Sequence, residues 1–281
     1  MTLSGPAPMT VLRCFPIRCS LSPPVAYFLS VALMSLSINI IAGTVFSVSL
    51  AVIFLYLPWT VRRSYRQTFI ALARTVEARE PHLLGHAEQT ARYVVWMARL
   101  CGMSLLATRR LEYAALLHGI GKVSIPYELL NSPACLSRPR DRFVLRDYVR
   151  VGAAILDAVP ILRPASDAVR YHHEYLDGSG YPFGRHGRSI PIEAQMLCVA
   201  SEYVAMTAPR LYRAALSMRP VQADRFLREQ AGRRYSRSVV LLFFTARASD
   251  HLQLALTALY HRLAARLAPY LPPPRLPERV L

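Results

Sequence analysis

Lysine is nearly missing from this sequence: there is one, Lys122, so the remaining basic residues of a total of 34 are arginines. Acids are scarce too, 17 in all, which leaves a formal net charge of +17. Such a surface attracts polyanions or anionic lipid, although arginine abundance alone names no ligand. Cysteine is sparse and odd in number, at Cys14, Cys19, Cys101, Cys135 and Cys198, with no CxxC pair. That spacing excludes a disulfide scaffold and a cysteine-built zinc site, and reads as reduced cytosolic thiols. Charge is absent altogether from residues 25–60, where Val, Leu, Ile, Phe and Ala dominate. A secretory signal has an apolar stretch of only about 7 to 15 residues, whereas a membrane span needs about 20. The run therefore reads as a membrane anchor, either one span or a helical hairpin turning at Ala42-Gly43-Thr44 with Trp59 at an interface; the hairpin is preferred. Arg62, Arg63 and Arg66 follow at once, and positive flanks stay in the cytoplasm, so the rest of the chain is expected to be cytosolic. A hairpin would keep Arg13 and Arg18 there as well.

What is present after the anchor is helical periodicity. Apolar residues recur at a 3.6-residue spacing over residues 61–80, 86–100, 105–118, 142–158, 163–173 and 192–206, and again from 211 to about 267. No strand pattern competes, so the expected fold is all-α. Ile125-Pro126 and residues 177–191 read as loops, and the triple proline at 272–274 opens a loose tail. The chain divides into an N-terminal tail (1–24), a transmembrane segment (25–60), a linker helix (61–80), a helical domain (81–246), and a C-terminal helix with a Pro-rich tail (247–281).

Five of the eight histidines gather around these helices: His82, His86, His118, His172 and His173. Histidines arriving together at helix ends suggest a metal site in a bundle. His82 stands four residues before His86, hence on one face of a common helix, where the two join His118 around a single ion. His186, His251 and His261 read as ordinary surface or core residues.

The stretch Leu117-His118-Gly119-Ile120-Gly121-Lys122, followed by His172-His173-Glu174-Tyr175-Leu176-Asp177-Gly178-Ser179-Gly180-Tyr181-Pro182, resembles an HD-GYP domain. That family belongs to the HD superfamily of metal-dependent phosphohydrolases, and the resemblance runs from about residue 79 to about residue 244. It implies a helical bundle holding two or three iron or manganese ions, which hydrolyses the bacterial messenger cyclic di-GMP, with GGDEF-domain proteins as partners of the Gly-Tyr-Pro loop. The implied setting is the bacterial inner membrane with the domain in the cytoplasm; a homodimer is compatible with it. In such chemistry two ions about 3.5 to 4 Å apart share a hydroxide and clamp a phosphodiester oxygen, and a bridging carboxylate holds them together.

By this resemblance His86, His118, His172 and His173 are metal ligands, and Lys122 is the catalytic, phosphate-contacting cation. Asp177, Gly178, Gly180, Tyr181, Pro182 and Arg185 form the loop that meets ligand or partner. Three ligand positions depart from the pattern. Gly119 stands where the bridging Asp belongs, Tyr148 where another His belongs and Ser201 where a second Asp belongs, with Val204 at a further Asp position. Asp147 and Glu202 are neighbours of two of these, but one helical step turns a side chain by about 100°, away from the site. The expected function is a membrane-anchored, degenerate phosphodiesterase that binds a cyclic dinucleotide or a protein, with or without metal. Two alternatives stand beside it: an active cyclic di-GMP phosphodiesterase with altered metal ligation, and a basic membrane protein engaging nucleic acid or anionic lipid.

Overall fold

The computed structural model describes residues 23–80, 83–131, 138–208 and 217–267, and these divide into two compact units with the boundary after Arg62. Ten α-helices lie among the described residues, and none of those residues belongs to a strand.

In the first unit, α1 (Pro23–Ala51) runs unbroken and passes into one π-helical segment, Val52–Tyr56. Ala42-Gly43-Thr44 lies inside α1, so the hairpin preferred from the sequence is not what forms. A lone glycine costs a helix only about 1 kcal/mol, and no proline accompanies it to force a turn. Thr44 Oγ1 instead donates back to the Ile41 carbonyl, satisfying its hydroxyl within the helix. By length and composition this is one helix able to cross a membrane.

The boundary falls within α2 (Leu57–Glu77). The second unit continues with α3 (His86–Leu100), α4 (Leu105–Leu117), α5 (Tyr127–Leu130), α6 (Pro139–Asp157), α7 (Ser166–Tyr171), α8 (Ile192–Thr207), α9 (Pro220–Gln230) and α10 (Arg237–Leu267). The continuous helix expected from residue 211 is interrupted: α9 stops at Gln230, and Gly232 at φ 88° begins a turn that separates it from α10. α10 runs through residue 246 without a break.

α8 is apolar almost all round, and that is the pattern of a helix with neighbours on every side. Met196, Leu197, Val199, Ala200 and Val204 are all buried, in one core with Val94 and Met97 of α3, Leu111 and Leu116 of α4, and Phe243 of α10. Phe69 of α2 joins this core edge-to-face with Tyr113, ring centroids 4.9 Å apart. Each such side chain contributes on the order of 1.5–3 kcal/mol by leaving water. α6 buries Tyr148, Val149, Gly152, Ala153 and Leu156 and turns its arginines outward. Gly121, in the 3-10 turn after α4, touches it: a Cβ there would come within 1.9 Å of the Tyr148 carbonyl oxygen and 2.5 Å of the Gly152 nitrogen. Only glycine permits that approach, and it fixes Tyr148 beside the α4 terminus.

Candidate functional site

Helix ends deliver the histidines. His86 is the first residue of α3, His118 follows the last residue of α4, His172 follows the last residue of α7, and His173 comes next in the chain. His118 Nδ1 lies 2.7 Å from the Ala115 carbonyl and His172 Nδ1 lies 2.6 Å from the Val169 carbonyl. A carbonyl only accepts, so each ring donates from Nδ1 and presents its Nε2 lone pair inward. His86 Nε2 meets His118 Nε2 at 3.1 Å, and His118 and His172 are edge-to-face at 5.4 Å between centroids. Burial favours neutral imidazole, lowering the His118 pKa to about 4 and the His172 pKa to about 3 and holding His173 well below its ordinary value.

Around His172 and His173 the space is filled. The Tyr148 hydroxyl lies 2.8 Å from His173 Nε2 and 3.3 Å from His172 Nε2, so one phenol serves both rings. Burial pushes the Tyr148 pKa well above its ordinary value, which keeps the phenol protonated. The Tyr181 ring stacks on His173, centroids 4.8 Å apart. Glu202 Oε1 lies 4.0 Å from His173 Nδ1, while Glu202 accepts from Tyr175 at 2.6 Å and from Tyr235. The carboxylate expected to turn away thus stands just behind the site, because two tyrosines pull it there. Asp147 does turn away and pairs with Arg150 at 3.2 Å.

Gly119 is the opposite case: a Cβ built on it meets nothing within 4 Å. Nearby, Lys122 Nζ is held by Glu80 Oε1 at 2.6 Å, with the side chains only 19% and 10% exposed. Arg79 donates to the carbonyls of Lys122, at 2.7 Å, and Ile125. The buried Glu77 carboxylate accepts from the Gly85 and Ala87 amides at 2.8 and 2.7 Å, so it caps α3 beside His86. Burial raises the Glu77 pKa, and the two amide hydrogen bonds oppose that rise.

The Gly-Tyr-Pro loop is pinned by Glu174, whose buried carboxylate accepts from the amides of Phe183 at 2.7 Å and Arg185 at 2.9 Å. Gly180 lies against the chain at His173, where a Cβ would come within 2.4 Å of the His173 carbonyl oxygen. Asp177 accepts from Ser179 N and Oγ in a turn that includes Gly178 at φ 76°. Pro182 follows Tyr181 through a cis peptide bond. Arg185, expected to meet ligand or partner, is already engaged: its guanidinium covers the Tyr171 ring at 3.8 Å and donates to the Ser189 carbonyl.

Four of the five expected histidines are brought together, and His82 lies outside the described residues. α3 begins at His86, immediately after Gly85 at φ 82°. Ser201 is buried and donates to the Cys198 carbonyl at 3.1 Å, and Val204 is core. Sequence reasoning gave no role to Glu77, Arg79, Glu80 and Glu174; for the three glutamates the available signal was acids beside the histidine motifs in a chain with few acids.

Among the described residues, no group of three or more His, Cys, Asp or Glu side chains is arranged to hold a metal ion. Iron(II) and manganese(II) are served best when carboxylate oxygens accompany imidazole. The inward-facing donors here are neutral imidazoles and a protonated phenol, and the position for a bridging carboxylate is Gly119. The described residues therefore do not fit a two-ion centre. Beside His86 opens a cleft of about 750 Å³ between α3, α8, α9 and α10, lined in part by Tyr93, Tyr203, Arg228 and Phe244.

Comparison with known proteins agrees with this architecture. A family model described as "HD domain" matches residues 71–239. The chain is 33% identical over 170 residues to a cyclic di-GMP phosphodiesterase of Thermotoga maritima, covering 59% of this chain and 45% of that protein. It is 33% identical over 191 residues to the cyclic di-GMP phosphodiesterase response regulator RpfG of Xanthomonas campestris pv. campestris, covering 67% of this chain and 50% of that protein. The chain thus spans about half the length of these curated relatives. A crystal structure of a cyclic GMP-AMP specific phosphodiesterase from V. cholerae superposes with a TM-score of 0.50 at 13% identity, covering 64% of this chain and 48% of that one, a likeness of fold alone.

Proposed function

We propose, from the premise that this chain belongs to the HD domain family and is an HD-GYP domain protein, that it is a membrane-anchored cyclic-dinucleotide-binding regulator that has lost phosphodiesterase chemistry. Its relatives are phosphodiesterases acting on cyclic dinucleotides, which supports that ligand class here. One observation carries the loss of chemistry: the Tyr148 hydroxyl sits at both His172 and His173 Nε2, in the place where the family pattern has a metal-binding His. Two imidazoles that serve a phenol are not presenting lone pairs to an ion. Gly119 removes the bridging carboxylate, and the Lys122 cation is neutralised by Glu80. Without an ion to activate water and clamp a phosphate oxygen, hydrolysis lacks both its nucleophile and its Lewis acid. Binding needs neither, and the 750 Å³ cleft beside His86 has room and aromatic walls for a nucleotide. α1 supports anchorage by its length and apolarity, and the arginines after it favour a cytoplasmic domain.

The test is turnover and binding by the full chain in detergent, purified without oxygen and supplied with iron(II) or manganese(II). Cyclic di-GMP should bind and remain intact. The combined variant Gly119→Asp, Tyr148→His and Ser201→Asp should release linear dinucleotide or GMP. Product formation by the unaltered chain, dependent on His86 and His173, would establish the active enzyme instead.

A further inference from the structure

The outer face of α6 and the Gly-Tyr-Pro loop enclose a second cleft, of about 390 Å³, separate from the one beside His86. Arg142, Phe143, Arg146, Asp147 and Arg150 recur at steps of three and four residues, so they occupy one stripe of the helix, with Tyr181 and Phe183 across from it. At 1.5 Å of rise per residue, Arg142 to Arg150 spans about 12 Å.

The charges on this stripe are not all spent. Asp147 pairs with Arg150, but no carboxylate among the described residues pairs with Arg142 or Arg146. The Arg146 guanidinium lies 5.1 Å from the centre of the Tyr181 ring, which orients it at the cleft wall. Two large aromatic rings beside these cations stand in water, Phe143 at 66% and Phe183 at 54% exposure. α6 buries Tyr148, Val149, Ala153 and Leu156 on its inner face, whereas Phe143, beside Arg142 and Arg146, stands in water.

Arginine forks match phosphate oxygens, and flat rings match nucleobases. A bare phosphate would use only the arginines, and an acidic side chain likewise meets only the cations. Neither accounts for Phe143 and Phe183. We infer that this cleft binds a nucleotide, its phosphate on Arg142 and Arg146 and its base against Phe143 or Phe183. Its volume lies in the range of small-molecule sites. A mononucleotide and one half of a cyclic dinucleotide share this chemistry. The inference stands apart from the reading of the histidine cluster, and Tyr181, which stacks on His173, is the wall common to both.

The experiment measures binding of GMP, cyclic di-GMP and inorganic phosphate to the full chain in detergent, for the unaltered protein, R142Q/R146Q, F143A and H86A. All the cleft substitutions are at exposed positions of a helix and leave the core intact. R142Q/R146Q should weaken nucleotide binding at least tenfold and F143A severalfold, while H86A leaves this component unchanged. For the component that R142Q/R146Q weakens, equal affinity for GMP and cyclic di-GMP assigns the mononucleotide, and tighter cyclic di-GMP binding assigns the dinucleotide. Three results overturn the inference: inorganic phosphate binding as tightly as GMP, nucleotide binding abolished by H86A and indifferent to R142Q/R146Q, or no nucleotide binding at all with arginine-dependent attachment to phosphatidylglycerol vesicles in its place.

Discussion

The two histidine pairs of this site have opposite surroundings. Beside His86 and His118 there is room: a Cβ built on Gly119 meets nothing within 4 Å. Beside His172 and His173 the space is taken: the Tyr148 hydroxyl bonds both rings, Tyr181 stacks on His173, and Glu202 lies 4.0 Å from His173 Nδ1. An open position costs little to fill. A filled one is part of the packing, because its polar groups satisfy one another.

The largest effect that separates the two halves is steric, within one turn. Gly121→Ala should destabilise the second unit by about 3 kcal/mol or more, since its Cβ meets backbone on α6. Gly119→Ala, two residues away at φ −86°, should change stability by less than about 1 kcal/mol. Denaturant unfolding of the two variants reads this directly, and similar midpoints would break the comparison. Next comes His172→Ala, which opens a cavity at a fully buried ring and orphans the Val169 carbonyl, at a cost of about 2–4 kcal/mol. His86→Ala, at the half-buried start of α3, should lose less than half of that by the same measurement. Tyr148→Phe comes third: it strips the hydroxyl from two imidazoles and should lower stability by about 1–2 kcal/mol, visible as a drop in Tm. The smallest stability change, under about 0.5 kcal/mol, is expected for Gly119→Asp. That variant should nevertheless retain more manganese(II) after desalting than Tyr148→Phe does; equal retention in elemental analysis would mean that the missing carboxylate is not what distinguishes the halves.

Much of the fold was legible in the sequence. His86–Leu100 and Ile192–Thr207 are read from period and apolar density, because amphipathic or all-apolar helices are local patterns. The motif histidines were legible as a set. Less legible were the ends: α2 stops at Glu77, three residues before the expected boundary, and the Glu77 side chain caps the start of α3. Glu202 was misread because a helical-wheel argument fixes the Cβ direction but not where a long side chain goes once Tyr175 and Tyr235 donate to it. The hairpin at Ala42-Gly43-Thr44 was misread because glycine only permits a turn, and nothing in α1 demands one.

By itself the sequence determined the class of this protein: an apolar N-terminal helix and an all-α HD-GYP domain, since these are matters of composition, period and motif. Only the tertiary structure decided what surrounds the histidines. Whether Gly119 leaves a gap, whether Tyr148 plugs a site, whether Lys122 is available or held by Glu80, and whether arginines and phenylalanines share a cleft all depend on contacts between distant segments. Helix propensity and periodicity act over a few residues, whereas those contacts are set by how α2, α4, α6 and the Gly-Tyr-Pro loop pack around one core.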